Sequence, residues 1–223
     1  MLIPETVKQT GYAVFPGLLS PDECANLIAL YDAPEPFRKT IVMERFRFGR
    51  GEYKYFQYPL PDLVQHLRET LYPALVPVAN AWMSDLNQPI RYPDTLTEFH
   101  ALCAEQGQTK PTPLLLRYES GGYNALHQDL YGIVFFPFQV VVMLNKPGRD
   151  FTGGEFVLVE QRPRAQSKAI VLSPKQGDAV VFTTNFRPVP GSRGPYRVNM
   201  KHGVSEVLTG HRHTLGIIFH EAA

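Results

Sequence analysis

The sequence predicts an α+β fold that is mainly β, a double-stranded β-helix (jelly roll) with N-terminal helices packed on one side. Two observations carry this prediction. Apolar residues recur at helical spacing in several segments before about residue 110, whereas short apolar runs separated by turn residues follow from about residue 112. Many short strands at regular spacing are typical of barrels and sandwiches, and helices beside such sheets cover one of their faces.

The N-terminal part is predicted to be helical with one opening strand, at residues 11–16. The tetrapeptide Ser-Pro-Asp-Glu at 20–23 combines an N-cap, a proline at the first helical position and a capping-box glutamate, so a helix begins there. Further helices are predicted over residues 62–86 and 94–105. The prolines that interrupt these segments are Pro73, Pro77 and Pro89.

The C-terminal half is predicted to be built from strands, and Gly, Pro, Asn or Asp stands in nearly every gap between them. The strand-like segments span residues 114–118, 139–144, 156–159, 169–172, 179–182 and 215–219. A loop rich in Pro, Gly and Arg, residues 183–196, lies inside this region. We expect a single domain over residues 1–223, with 1–110 as mostly helical support and 111–223 as the jelly-roll core.

Composition excludes several function classes. The formal net charge is +1, with 22 basic and 21 acidic residues, so no global field attracts a polyanion and any nucleic-acid contact is local. Cys24 and Cys103 belong to no spaced framework and are predicted to be free thiols in a reducing compartment. Because the start lacks a signal-peptide pattern and no long apolar stretch follows, we expect a cytoplasmic protein without membrane contact.

The triplet His127-Gln128-Asp129 is the first pattern that carries chemistry. On a strand, residues two apart point to the same face, so an imidazole and a carboxylate would project inward side by side. Such a pair suits a divalent first-row metal, and a second histidine would complete the 2-His-1-carboxylate triad of Fe(II) oxygenases. Taken alone, the triplet is equally compatible with a histidine that pairs with a surface carboxylate.

A distal segment supports the prediction of a metal site. It contains His202 and, ten positions later, Arg212. A keto-acid that chelates the metal through one end leaves a second carboxylate free, and the planar fork of a guanidinium binds a carboxylate bidentately. Thr214, two residues further and on the same face, would add a hydroxyl donor. The alternative for Arg212 is a surface arginine at a strand end.

These residues resemble the 2-oxoglutarate/Fe(II)-dependent dioxygenase superfamily. The order of the His-x-Asp triplet, Gly-Gly-Glu-Phe at 153–156, Gly-Asp-Ala-Val-Val-Phe at 177–182, His202 and Arg212 is similar to the prolyl 4-hydroxylase core. The pattern Arg-Tyr-x-x-Gly before the triplet is similar to the AlkB-type nucleic-acid demethylases.

A third resemblance extends along nearly the whole chain. Segments 51–56, 111–113 and 154–164 resemble a small prokaryotic family described as oxygenases acting on damaged nucleic acid. This likeness, like the AlkB-type pattern, implies a nucleic-acid substrate.

The resemblance implies the cofactors Fe(II), 2-oxoglutarate and O2. Fe(II) would be bound by His127, Asp129 and His202. The far carboxylate of 2-oxoglutarate would be bound by Arg212, with Tyr118 and Thr214 beside it, because AlkB-type enzymes place a tyrosine nine residues before the first ligand. The implied reaction hydroxylates a substrate C–H bond, or removes a methyl group when the target carbon is an N-methyl.

Tyr131 and Arg197 are the predicted substrate contacts, on either side of a cavity mouth between residues 131–138 and 187–197. The aromatic residues Tyr131, Phe135, Phe136 and Phe138 either stack on a flat substrate such as a base or pack in the core. The arginines of the second segment either grip a phosphate or carboxylate or are solvated. The predicted partner is a small-molecule or nucleic-acid substrate.

Two kinds of alternative remain open. The substrate is either a modified nucleobase or else a peptide, an amino-acid side chain or a small metabolite; residues 213–220 lack the second arginine that AlkB-type enzymes usually carry. From other classes, the chain is either a non-catalytic metal-binding jelly-roll sensor or a cupin-type metalloenzyme without a keto-acid. The guanidinium of Arg212 argues against the first, and the small number of candidate histidine ligands argues against the second.

Overall fold

A computed structural model describes residues 5–33, 35–130 and 132–223. Its helices are α1 (Glu5–Thr10), α2 (Pro21–Leu30), α3 (Asp62–Asp85) and α4 (Leu96–Glu105), and a short 3-10 helix spans Met43–Phe46. The capping box predicted for α2 is confirmed. The Ser20 hydroxyl accepts a hydrogen bond from the Glu23 N–H at 3.3 Å, and the Glu23 carboxylate accepts one from the Ser20 N–H at 2.7 Å.

The strands follow the order expected of a jelly roll, with more of them than the sequence predicts. They are β1 (Tyr12–Phe15), β2 (Phe37–Val42), β3 (Gly49–Arg50), β4 (Glu52–Phe56), β5 (Leu114–Tyr118), β6 (Tyr123–His127), β7 (Phe138–Met143), β8 (Phe151–Gly153), β9 (Phe156–Gln161), β10 (Lys168–Leu172), β11 (Ala179–Thr183), β12 (Phe186–Val189), β13 (Tyr196–Val204), β14 (Val207–Gly210) and β15 (Arg212–Ile218).

Two antiparallel sheets form the body of the fold. The major sheet has the order β1-β11-β7-β15-β5-β4-β2, and the minor sheet has the order β10-β9-β13-β6-β3, with β12 paired to β13. A two-stranded ribbon of β14 and β8 lies beside them. The mainly β architecture predicted from the strand spacing is confirmed.

Side chains along the strands of the major sheet alternate between two hydrophobic clusters, one on each face. Val142 of β7 and Ile217 of β15 belong to the cluster that includes the helices, whereas Met143 packs with Phe156 and Met200 from the minor sheet. Because successive strand residues point to opposite faces, the major sheet has one face for the helices and one for the interior of the jelly roll. The interior face holds the candidate site.

Helix α3 is the main support of the outer face, and it is continuous. The prediction that Pro73 and Pro77 interrupt it is wrong, since both lie within its 24 residues. The buried Arg68 anchors this helix to the end of β15. Its guanidinium donates to the backbone oxygens of Ile218 and Phe219 at 3.2 and 2.9 Å and pairs with the Glu221 carboxylate at 2.8 Å.

The expectation of a single strand before residue 110 is wrong. Residues 37–56 contain β2, β3 and β4, and β4 pairs with β5 so that Tyr53 lies opposite Leu116. The alternation Glu52-Tyr53-Lys54-Tyr55 in β4 is typical of a half-buried strand. One of its two partners, β2, is close in sequence, and the other, β5, is far away.

The segment 183–196, expected to be a loop, contains β12. Its Arg187 is buried and pairs with Glu160 of β9, with Nε and the carboxylate oxygen 3.0 Å apart, and it donates to the Gln9 carbonyl at 2.8 Å. Arg187 is therefore neither solvated nor free to grip a ligand. A buried charge needs such a partner, and the sequence separation between the two residues hides it from local patterns.

Two further expectations concern the cysteines and the membrane. Cys24 and Cys103 are both buried and unpaired, as predicted. Among the described residues, no helix combines the length and apolar character that crossing a membrane requires.

Removal of the Glu221 carboxylate should destabilise the fold strongly. In Glu221→Ala the guanidinium of Arg68 stays buried without its partner, which we expect to cost about 3–5 kcal/mol of unfolding free energy. Urea unfolding followed by circular dichroism measures this change. Asp32→Ala is the matched control, because the Asp32 carboxylate pairs with Arg117 but is 86% exposed, so its loss should shift the midpoint little. Equal losses in the two variants would contradict the anchoring role.

Candidate functional site

The pairing of β6 with β13 brings the first candidate residues together. His127 lies directly opposite His202, whereas Asn124 lies opposite Val204, so a bulge in β6 sets three residue steps against two. Such an irregularity changes the direction in which side chains point at a strand end. The bulge therefore helps to set the direction of His127 where the jelly roll interior opens.

Asp129 joins the two histidines from a position just past the strand. β6 ends at His127, and Asp129 follows two residues later. The amide of Gln128, between them, donates to the backbone oxygens of Asn185 and Met200, each at 2.8 Å. These two bonds fix the chain path beyond β6, so that His127 and Asp129 meet as the triplet predicts.

The three side chains form a compact group that could hold a metal ion. The His127 Nε2 lies 3.5 Å from Asp129 Oδ1, and the His202 Nε2 lies 3.2 Å from Asp129 Oδ2. One ligand atom from each residue falls within 4.8 Å of the others. Two imidazoles and one carboxylate are the donor set of Fe(II) oxygenases, so the group fits that metal.

The surroundings of His127 favour the protonation state that a metal ligand needs. Its Nδ1 lies 2.7 Å from the Ala125 carbonyl oxygen, which holds the proton on Nδ1 and leaves the Nε2 lone pair for a ligand. Burial, and next the neighbouring His202, lower the pKa of His127. A neutral imidazole is the form that binds metals, so this site is prepared to bind near neutral pH.

Arg212 lies in the same cavity and forms no ion pair with any described residue. The residue is 1% exposed, and its Nε and Nη1 have no hydrogen-bond partner among the described residues. Burial lowers the pKa of Arg212 to about 10, partly offset by attraction to Tyr118 and Glu155. A buried guanidinium without a paired carboxylate costs folding free energy, so this arrangement is suited to an anionic ligand such as the far carboxylate of 2-oxoglutarate.

Tyr118 and Thr214 stand beside this guanidinium, as the sequence predicts. Tyr118 of β5 lies directly opposite Arg212 of β15, and the guanidinium carbon is 5.4 Å from the centre of the phenol ring. Burial raises the pKa of Tyr118 to about 12, so its hydroxyl stays protonated at neutral pH. Thr214 is buried two residues beyond Arg212 on the same face. The hydroxyls and the guanidinium thus form one polar end of the cavity.

The structure adds residues that sequence reasoning missed. Tyr53 and Tyr55 of β4 and Gln139 of β7 line the cavity that contains the His–Asp–His group. Gln139 is 4% exposed and its amide nitrogen has no hydrogen-bond partner among the described residues. It lies opposite Phe182, whose ring centre is 4.7 Å from that of His202. The alternating tyrosines of β4 were a signal in the sequence; a glutamine in an apolar run was a weaker one.

The predicted substrate contacts are not supported in the same way. Tyr131 lies outside the described residues. Arg197 places its guanidinium 4.0 Å over the ring of Phe186 and is not among the described residues that line this cavity. On β13 it differs in strand parity from the inward-facing His202, so the two side chains point to opposite faces.

The aromatic residues after the triplet divide between two environments. Phe136 and Phe138 are fully buried in the core that the helices cover, so their interpretation as stacking residues for a substrate is wrong. Phe135 is partly buried against the same core. Packing against α3 and its neighbours explains all three, because aromatic side chains bury large apolar areas.

Comparison with protein families gives a match over most of the chain. Residues 51–222 match the model of the Oxygenase-NA family, described as an oxygenase catalysing oxidative methylation of damaged DNA. Two uncharacterized proteins, from two strains of Mycobacterium tuberculosis, are each 47% identical over 168 residues. This region is 75% of this chain and 72% of each relative.

Comparison with solved structures confirms the fold. A prolyl-4-hydroxylase of Pseudomonas putida has a TM-score of 0.54 at 13% identity, covering 98% of this chain and 96% of that one. A prolyl hydroxylase of Trichoplax adhaerens, in complex with a hypoxia inducible factor peptide fragment, has a TM-score of 0.57 at 14% identity, covering 97% and 86%. A 2OG-Fe(II) oxygenase family oxidoreductase of Burkholderia pseudomallei has a TM-score of 0.53 at 17% identity, covering 98% and 90%.

Metal binding should depend on His202. We expect the wild-type chain to bind Mn(II) or Co(II) in calorimetric titration and His202→Ala to bind them at least about tenfold more weakly, since one of three proposed ligands is lost. His211→Ala is the matched control, because this exposed histidine lies outside the cluster and its loss should change nothing. Wild-type affinity in His202→Ala would refute the assignment of the site.

Proposed function

The chain belongs to the Oxygenase-NA family, and we propose that it is an Fe(II)- and 2-oxoglutarate-dependent dioxygenase that oxidises a C–H bond of a modified nucleobase. It is an oxidoreductase, as the sequence predicts, and its cofactors are Fe(II), 2-oxoglutarate and O2. One observation carries the assignment of residues. A group of three possible ligands and a buried guanidinium that forms no ion pair with a described residue face the same cavity.

In this proposal the protein holds the reactants in place and the cofactors carry out the oxidation. Bound Fe(II), 2-oxoglutarate and O2 supply the oxidising power for hydroxylation of a C–H bond. His127, Asp129 and His202 hold the metal, and the Ala125 carbonyl keeps His127 in the ligating tautomer. Arg212 neutralises the far carboxylate of 2-oxoglutarate, while Tyr118 and Thr214 offer hydroxyl donors beside it.

The substrate belongs at the other end of the cavity. Gln139 lies opposite Ile218, six residues along β15 from Arg212, which is about 20 Å at the usual rise of a strand. The amide of Gln139 is therefore on the far side of the cavity from the cosubstrate residues, near the ring of Phe182 that packs on His202. A buried amide donor without a partner favours a substrate that offers a hydrogen-bond acceptor.

Two observations favour a nucleobase as that substrate. The family to which the chain belongs is described as acting on damaged DNA. A glutamine amide pairs with the edge of a base through one donor and one acceptor, so Gln139 suits a flat heterocycle. Hydroxylation of an N-methyl carbon would give a hemiaminal, whose C–N bond breaks to leave N–H on the base and release the carbon as formaldehyde, so such a base would be demethylated.

Removal of the guanidinium in Arg212→Met should weaken cosubstrate binding without harm to the fold. We expect a loss of roughly 2–4 kcal/mol in 2-oxoglutarate affinity, about 30- to 1000-fold, because a charge-assisted bidentate pair disappears. Without 2-oxoglutarate, the thermal midpoint of the variant should equal or exceed that of the wild type at neutral pH. Neutral pH lies well below the Arg212 pKa of about 10, so the wild-type guanidinium is protonated and buried without an ion-pair partner.

Thermal shift with Mn(II), with and without 2-oxoglutarate, measures both effects. Arg117→Met is the matched control, since Arg117 on the neighbouring strand pairs with Asp32 at the surface, and it should respond to 2-oxoglutarate like the wild type. A normal 2-oxoglutarate shift in Arg212→Met would contradict the role of Arg212.

Succinate formation should rise above the uncoupled background when a single-stranded oligonucleotide carrying an N-methylated base is added. The same reaction with Gln139→Leu should show a raised KM for the oligonucleotide and an unchanged uncoupled background, because only the proposed contact to the base is lost. Stimulation by a peptide or an amino acid, and by no oligonucleotide, would replace the nucleobase by that class while the cofactor assignment stood.

A further inference from the structure

An exposed pair of phenylalanines stands between β2 and β4. Phe46 and Phe48 are 52% and 47% exposed, and their rings stack with centres 5.5 Å apart and planes 20° from parallel. Both residues belong to the sequence Arg45-Phe46-Arg47-Phe48-Gly49-Arg50. Large apolar side chains that are exposed next to each other are typical of a surface that contacts a partner.

This pair lies next to the strand that carries His127. β3 is the edge strand of the minor sheet, with Gly49 opposite Asn124, and the Phe48 carbonyl accepts a hydrogen bond from the Ala125 N–H at 2.8 Å. Because the pairing is antiparallel, the chain from Phe48 back to Phe46 runs toward the His127 end of β6. The backbone of this segment therefore lies next to the end of β6 that carries His127.

The same segment is basic, although Arg50 shares a surface cavity with Glu52 and Glu119. Arg45, Arg47 and Arg50 are exposed, and none of them makes a side-chain hydrogen bond or an ion pair with any described residue. Glu44 is the acidic residue within the segment. In a chain whose formal net charge is +1, this is a local excess of positive charge, which is the only kind the composition allows.

The backbone of this segment is held in place. The Met43 N–H donates to the Gly51 carbonyl at 2.9 Å and the Phe48 N–H donates to the Met43 carbonyl at 3.1 Å, while the Met43 side chain is fully buried. At Gly49 φ is +140°, and an added Cβ would lie 2.3 Å from the Tyr123 oxygen, so only glycine fits. The aromatic pair is thus presented on a preorganised turn.

We propose that residues 45–50, the Phe46–Phe48 platform, bind the nucleotides that flank the target base in a single-stranded nucleic acid. This inference rests on the proposed function and adds the form of the substrate. Bases stack on aromatic side chains only when they are unpaired, and arginines at the same place neutralise the phosphates between them. An apolar partner, such as a second copy of this chain, would not match three exposed arginines.

The test is fluorescence anisotropy with the Mn(II)-loaded full chain. The probes are an unmodified single-stranded deoxyoligonucleotide of mixed sequence and the same strand annealed to its complement. We expect the single strand to bind more tightly than the duplex. Phe46→Ala combined with Phe48→Ala should weaken single-strand binding by at least about tenfold, the scale of losing stacking on bases.

Salt dependence separates the arginines from the phenylalanines. Removing two charges in Arg45→Gln combined with Arg47→Gln should reduce the slope of log K against log salt by about 1.4 between roughly 50 and 200 mM. Leu208→Ala and Arg149→Gln are the matched controls, because both residues are exposed elsewhere, and neither should change affinity or slope. Uncoupled 2-oxoglutarate turnover should stay at the wild-type level in all of these variants.

Each remaining outcome decides the question. Single-strand binding that survives in both double variants overturns the platform and leaves the proposed function intact. Tighter binding of the duplex overturns it as well. Self-association in sedimentation, lost in the phenylalanine double variant, assigns the surface to a second copy. Absence of any oligonucleotide binding, with turnover stimulated by another substrate, removes the nucleobase from the proposed function and the platform with it.

Discussion

The pairing of β6 with β13 is the constraint on which the candidate site depends. It sets His127 opposite His202, and the bulge in β6 helps to set the direction of His127 at the strand end, where Asp129 follows. The remaining features serve this pair. The Gln128 amide fixes the chain beyond β6, and the other neighbour of β13, β9, contributes Phe156 and Leu158 to the apolar interior. A slip of one residue in this pairing would turn one of the histidines away from the cavity.

Three buried arginines differ in whether a carboxylate pairs with them. Arg68 pairs with Glu221 and Arg187 pairs with Glu160, and each pair joins elements that are distant in sequence. Arg212 is as deeply buried and has no such carboxylate within ion-pair distance among the described residues. A folded protein tolerates that cost where a ligand relieves it, so the exception to the pairing rule supports the proposal that this end of the cavity binds an anionic ligand.

The wall of the cavity that β5, β7 and β15 form is polar at its ends and apolar between them. Arg212, Tyr118 and Thr214 occupy one end, Gln139 lies toward the other, and Val141 and Leu116 line the wall between. A cosubstrate with two acidic groups and a neutral substrate with a hydrogen-bond acceptor would occupy such a cavity without competing for the same partners. The Phe46–Phe48 platform also combines polar and apolar groups, but on the protein surface. Its segment 45–50 places apolar rings beside positive charge on a chain that is nearly neutral overall.

The sequence alone determined the helices and strands that depend on neighbouring residues, and the candidate site residues that stand at fixed spacings. The capping box at Ser20, the strand-like runs of the C-terminal half and the offsets among His127, Asp129, His202 and Arg212 were all readable, because each depends on neighbouring residues or on alternation along one strand. Tertiary structure alone decided the pairing of β4 with the distant β5, the pairing of Arg187 in β12 with Glu160, and the burial of Phe136 and Phe138 under the helices. It also decided which arginine has a partner, because the energy of a buried charge depends on what the fold brings within a few ångströms of it, and no local pattern contains that information.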